Sequence, residues 1–142
     1  MKTRKKRILV VDDEENITLV LRLMFERTKD YEVKVENDST RALAIAEKFR
    51  PDLVLLDVDM PEMGGGELAF RFSNIPSLKS VPVIFLTGSV TKEEVFSAKG
   101  TIGGLPFLAK PVNRDEVLGC LRRYLRTAAR TEPKSSLIAV DN

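Results

Sequence analysis

The 142-residue chain has no histidine and only one cysteine, Cys120. Without histidine there is no ordinary general base near neutral pH, no Ser-His-Asp arrangement and little prospect of a transition-metal site. A single cysteine excludes an internal disulfide and a cysteine-built zinc cage. Cys120 falls within an amphipathic helical pattern, which marks it as a small buried hydrophobe. No apolar run is long enough to cross a bilayer, and Met1 to Ile8 carries no signal-peptide pattern, so a cytoplasmic location is expected. The chemistry left to this protein runs on carboxylates, hydroxyls, lysine and hard metal ions.

What is present is the composition of a globular protein, 43% hydrophobic and 31% charged, in a length that suits one domain. The formal net charge is only +2. The basic surplus lies in the leader 1–6 with Arg7, and in Arg122, Arg123, Arg126 and Arg130 near the other end. A basic leader and an arginine-rich last part of a helix read as solvated surface.

Periodicity gives a regular alternation of strand and helix. After a strand at Ile8 to Val11, the apolar residues Ile17, Val20, Leu21, Met24 and Phe25 recur at helical spacing. Tyr31 to Glu36, "YEVKVE", alternates as a strand. Ala42, Ile45, Ala46 and Phe49 mark one face of a second helix that stops at Pro51. Asp52 to Asp57, "DLVLLD", is a continuous apolar run bounded by acids, as in a strand covered on both faces. A loop over Val58 to Gly66 leads to a third helix predicted over about Gly66 to Asn74. "VPVIFLTG" is another buried strand, ending at Thr87. Thr91 with Glu94 forms a capping box for a fourth helix. A fifth strand around Leu105 to Ala109 ends at Lys110-Pro111, and Asn113 with Glu116 opens a last helix carrying Val117, Leu121, Tyr124 and Leu125. Strand and helix alternate five times, which predicts an α/β fold with a doubly wound parallel five-stranded sheet.

In such folds ligands bind beyond the carboxyl ends of the strands. The unusual polar residues all fall there: Asp12 and Asp13 after the first strand, Asp57 after the third, Thr87 after the fourth and Lys110 after the fifth. In "ILVVDDE", Ile8 to Glu14, a buried strand runs straight into three acids whose mutual repulsion is poorly screened. A cation relieves it, and an all-oxygen donor set suits Mg²⁺, with Mn²⁺ as an alternative. A metal, an ammonium and a hydroxyl converging beside a carboxylate meet the needs of in-line phosphoryl transfer. Asp57 is the natural nucleophile, and the product is an acyl phosphate. Singly, each residue also has an ordinary reading as a turn, cap or surface group.

The motifs "VVDDE", "LLDVDMPEMGG", "FLTGS" and "FLAKP", in this order, resemble the response-regulator receiver domain over about Arg7 to Arg130. The resemblance implies a flavodoxin-like (βα)5 fold with strand order 2-1-3-4-5. It implies phosphorylation of Asp57 by a histidine kinase or histidine phosphotransfer protein. Asp12, Asp13, Asp57 and the backbone carbonyl of Asp59 would hold Mg²⁺, while Lys110 and Thr87 bind the phosphoryl group. Thr87 and Phe107 would form the switch, and Pro111 would follow a cis peptide bond. A downstream protein target or a second copy would dock on the fourth helix, fifth strand and fifth helix.

Four positions depart from the family's usual pattern. Asp59 and Ser89 stand where they can tune the lifetime of the phosphorylated state. Gly64 makes the loop Gly64-Gly65-Gly66 look loose, and Pro106 removes a donor beside the switch position. "LLDVDM" also fits the DxD pattern of haloacid-dehalogenase-like phosphatases, although the order of the acids opposes that reading. A receiver-like binding module that works without phosphorylation is the third alternative. The segment 131–142 is expected to be a flexible tail, with no output domain, no DNA-binding module and no membrane attachment.

Overall fold

The computed structural model describes residues 4–88, 101–102 and 105–131. In chain order the elements are β1 (Lys6–Val11), α1 (Glu15–Arg27), β2 (Tyr31–Glu36), a 3₁₀ turn (Ser39–Arg41), α2 (Ala42–Phe49), β3 (Leu53–Asp57), α3 (Gly65–Ser73), β4 (Val83–Thr87), β5 (Thr101–Ile102), β6 (Leu105–Ala109) and α4 (Arg114–Thr131). The helix expected after Thr91, its capping Glu94, and Ser89 lie outside the described residues.

The sheet order is β2-β1-β3-β4-β6-β5. Its first five strands are parallel, so the doubly wound flavodoxin-like order 2-1-3-4-5 holds when β6 is counted as the fifth parallel strand. The two-residue β5 is an addition that the sequence pattern does not announce. It pairs antiparallel with β6, placing Thr101 opposite Pro106 and Ile102 opposite Leu105. Pro106 therefore sits in a strand whose outer partner is only a short edge, where a missing donor is tolerated.

Alternation along the central strands explains the two-sided core. Ile8 and Val10 of β1, Leu53 and Leu55 of β3, and Ile84 and Leu86 of β4 pack with Leu21 and Phe25 of α1 and Val117 and Leu121 of α4. The intervening residues Leu9, Val11, Val54, Leu56 and Phe85 face Ala42 and Ala46 of α2 and Leu68 and Phe72 of α3. With both faces covered, every residue of β3 is buried, which is why it reads as an unbroken apolar run.

Two expectations change. Val20 does not lie on the core face of α1: it is 51% exposed, beside exposed Leu19 and Leu23, and Thr18 takes the inward position with Leu21 and Phe25. The Thr18 hydroxyl can be buried because it donates to the Glu15 carbonyl and accepts from Asn37 Nδ2 at 3.0 Å. The glycine run is not loose at its centre. A Cβ on Gly65 would stand 2.3 Å from the Asp57 carbonyl oxygen, and the Gly65 N–H donates to the Val58 carbonyl at 3.0 Å. α3 therefore begins at Gly65, one residue before the predicted start, because only glycine lets its first turn press against the end of β3. Among the described residues no helix is long and apolar enough to cross a membrane.

Candidate functional site

Strand register assembles the site. Val11 lies opposite Leu56 in the β1–β3 pairing, so Asp12 reaches the level of Asp57. Asp57 pairs with Leu86, and Thr87 pairs with Ala109, so Thr87 and Lys110 follow one step further along the same edge. Backbone bonds lock these ends together: Asp12 N–H to the Glu36 carbonyl at 3.2 Å, Val58 N–H to Leu86 at 3.0 Å and Lys110 N–H to Thr87 at 2.8 Å. Asp12, Asp57 and Thr87 are all buried, at 0%, 2% and 2% exposure. Asp13 and Asp59 are exposed.

Asp12, Asp13 and Asp57 each place a carboxylate oxygen within 4.8 Å of the others. Lys110 Nζ lies 2.8 Å from Asp12 Oδ2, 2.8 Å from Glu14 Oε1 and 3.3 Å from Asp57 Oδ1. One ammonium thus serves three carboxylates, and the cluster keeps a surplus of negative charge. Asp12 Oδ2 is fully buried and has no aligned hydrogen bond, so its contact with Lys110 is electrostatic only. A buried orphan oxygen in an all-oxygen set, next to an exposed carboxylate that gives access from water, fits a hard divalent cation.

The charge balance shows in the protonation equilibria. Burial, reinforced by the charge of Asp12 and only partly offset by Lys110, pushes the Asp57 carboxyl up to about 6. Burial by itself would lower the pKa of the Lys110 ammonium, but the close contacts with Asp12 and Glu14 and the charges of Asp12 and Asp57 outweigh it and raise the pKa. Lys110 therefore stays charged at any physiological pH. A backbone bond from Asp59 also supports the Asp57 carboxylate.

The remaining positions fall around this centre. Phe107 is partly buried, with its ring centroid 5.0 Å from that of Phe85. The Lys110–Pro111 peptide bond is cis. Cys120 is partly buried against the core, and burial pushes its thiol up to about 11, so it stays protonated and unreactive. Two contributors escape sequence reasoning. Asn37 donates to the Asp12 carbonyl at 2.8 Å and so anchors the loop that carries the acids. Glu14 is visible in "VVDDE", but no local pattern tells that it meets a lysine 96 positions away.

A doubly wound parallel sheet gathers three aspartates, a buried threonine and a charged lysine at the carboxyl ends of its strands, which defines a class of α/β domain whose edge could hold a cation. The chain belongs to the response regulator receiver domain family, which matches residues 8–122. Sporulation initiation phosphotransferase F of Bacillus subtilis is 33% identical over 120 residues, spanning 84% of this chain and 94% of that relative. The CAI-1 autoinducer sensor kinase/phosphatase CqsS of Vibrio cholerae is 35% identical over 115 residues, which are 80% of this chain but only 16% of that protein. Against the alkaline phosphatase synthesis regulatory protein PhoP of Bacillus subtilis, the chain spans about half of the relative, 53%. The crystal structure of the chemotaxis protein CheY4 of Vibrio cholerae superposes with a TM-score of 0.72 at 31% identity, covering 84% of this chain and 98% of that one. The protein is a two-component response regulator receiver, a signalling domain of the CheY-like kind.

Proposed function

We propose that Asp57 accepts a phosphoryl group from a phosphohistidine on a histidine kinase or histidine phosphotransfer protein. The observation that carries this reading is the meeting of Asp12, Asp13, Asp57, Thr87 and Lys110 at one edge of the sheet, with the Lys110 ammonium within 3.3 Å of Asp57. A carboxylate oxygen of Asp57 attacks phosphorus in line. The P–N bond to the donor imidazole breaks, its electron pair returns to the ring, and a mixed anhydride forms on Asp57. Lys110 pairs with one equatorial oxygen and the Thr87 hydroxyl donates to another. Asp12, Asp13 and Asp57, with the Asp59 backbone carbonyl, would hold Mg²⁺ or Mn²⁺. When bound, the ion supplies positive charge to the oxygens of the transferred group.

One acceptor carries one phosphoryl group at a time, and hydrolysis by water returns the Asp57 carboxylate and inorganic phosphate. Asp59, exposed beside the acceptor, tunes the lifetime of the anhydride, and Ser89 is assigned the same task. The domain extends over 7–130, and its output is a protein contact. Phosphorylation draws Thr87 toward the phosphoryl group and Phe107 follows, which changes the surface of β6, α4 and the helix expected after Thr91, where a target or a second copy docks.

The test is intact-mass spectrometry after incubation with acetyl phosphate or phosphoramidate, with and without Mg²⁺. One added phosphoryl group that requires Mg²⁺ and is absent from Asp57→Asn is the expected result. An unlabelled native chain under every condition would overturn the reading and leave a binding module that works without phosphorylation.

A further inference from the structure

Glu14 occupies the residue just before the first turn of α1, where serine, threonine, aspartate or asparagine normally accepts a backbone N–H through its side chain. Its backbone does the work of that position, with its carbonyl accepting from Ile17 at 3.1 Å and from Thr18 at 3.2 Å. Its side chain makes no capping bond. Instead the carboxylate reaches across the site to Lys110 Nζ at 2.8 Å. The reach is well aimed, because the Glu14 N–H is itself held by Asp12 Oδ1 at 2.9 Å. A residue that forgoes a local stabilising bond for a distant one belongs to the working part of a fold.

An ammonium has three N–H donors, and in this structure three carboxylates surround Lys110. Two stand at 2.8 Å, while Asp57, the acceptor, is the most distant at 3.3 Å. A phosphoryl oxygen arriving on Asp57 competes with these carboxylates for the ammonium, and the contact most readily given up is the one whose carboxylate water can take. Asp12 is buried and cannot be rehydrated, whereas the Glu14 side chain is 60% exposed and water takes it up at little cost. We infer that Glu14 is a positioning residue that holds Lys110 in the unphosphorylated site and yields its place to the incoming phosphoryl group, so that it slows phosphorylation of Asp57. The inference rests on the phosphoacceptor reading above and names a regulator of that same site.

The test compares initial rates of phosphorylation by acetyl phosphate at saturating Mg²⁺, read by intact mass, for native protein, Glu14→Gln, Glu14→Asp and Glu15→Gln. Removing the charge in Glu14→Gln raises the rate about two- to five-fold, the range of an exposed ion pair. Glu14→Asp keeps the charge but shortens the arm and turns the carboxylate toward the helix it can now cap, so it also speeds the reaction while holding or raising the melting temperature. Glu15→Gln removes a neighbouring exposed charge that is not among the three around Lys110, and leaves the rate unchanged. A gain in Glu15→Gln equal to that in Glu14→Gln would mean general repulsion of the anionic donor and would overturn the inference. Unchanged or slower rates in both Glu14 variants, with the native chain still labelled, would overturn it while leaving the phosphoacceptor reading intact. Failure to label the native chain would instead sink that reading first.

Discussion

The two edges of the sheet handle charge in opposite ways. At the amino edge, Arg7 and Asp52 tie β1 to the chain entering β3. The Arg7 N–H donates to Asp52 Oδ2 at 2.8 Å, Asp52 N–H donates to the Arg7 carbonyl at 2.7 Å, and Arg7 Nη1 donates to the Phe49 carbonyl at 2.8 Å. Glu32 and Arg4 complete the set at 3.5 and 3.6 Å, and the guanidinium lies over the Phe49 ring. Positive and negative groups match there, and the edge serves stability. At the carboxyl edge one lysine serves three carboxylates and a fourth acid, Asp13, stands by. That imbalance costs the metal-free fold stability, and on the function proposed above a cation and a phosphoryl group would complete it.

The sharpest way to break this contrast is to remove the one ammonium that, among the described residues, stands at the carboxyl edge. Lys110→Ala leaves Asp12 and Asp57 buried without their counter-charge, and losing one partner of a buried pair costs about 3–5 kcal/mol. The same change removes a donor to the transferred group, which lowers the rate of Asp57 phosphorylation about 10²- to 10³-fold. Denaturant unfolding and the intact-mass assay read the two effects separately. Native-like stability in this variant would show that the carboxyl edge is not held by Lys110.

The second prediction uses the raised carboxyl of Asp57. Folding shifts it from 3.8 to about 6, so between those values the folded chain binds a proton that the unfolded chain has released. Stability of the metal-free protein therefore falls as pH rises through that window. At pH 7 the ionised group costs up to about 3 kcal/mol, from 1.36 kcal/mol per pKa unit. In a chelating buffer, Asp57→Asn is more stable than native at pH 7, and the gain disappears toward pH 4. Adding Mg²⁺ to the native chain raises its melting temperature at pH 7 through ligand linkage, and does so much less for Asp57→Asn. Equal pH profiles for the two proteins without metal would mean that the carboxyl edge carries no stored charge strain.

Much of this edge is legible in the sequence, because an acid following a run such as Leu53 to Leu56 stands out against the apolar residues beside it. The alternation of strands and helices predicts a parallel sheet, and the order 2-1-3-4-5 that the receiver resemblance implies sets Asp12, Asp57, Thr87 and Lys110 side by side. Other features are not local and leave no mark. Val20 fits the helical period of α1 as well as Leu21 does, yet Thr18, with its hydroxyl bonded to the Glu15 carbonyl and Asn37, takes the inward position and Val20 is left in water. The Gly64-Gly65-Gly66 run says that flexibility is permitted, not that Gly65 lies against the Asp57 carbonyl. A two-residue strand such as β5 is too short for any period to reveal.

The smallest predicted effect falls at the amino edge and sharpens the contrast from the other side. Asp52 accepts the Arg7 N–H through its side chain, and Asp52→Ala leaves that donor without its partner while preserving the backbone bond from residue 52 to the Arg7 carbonyl. The donor is part-buried and water can reach it in part, so the cost is about 1–2 kcal/mol, the lower part of the range for a donor left without its partner. Phosphorylation of Asp57 stays at the native rate, because β1 and β3 remain paired from Ile8–Leu53 to Val11–Leu56 and the register that aligns Asp12 with Asp57 does not depend on Asp52. Urea unfolding measures the first quantity and the acetyl phosphate assay the second. A stability loss accompanied by an equal loss of phosphorylation would mean that the two edges act as one unit through β1 and β3. A stability loss with the native rate separates an edge that holds the sheet together from one that holds charge for chemistry.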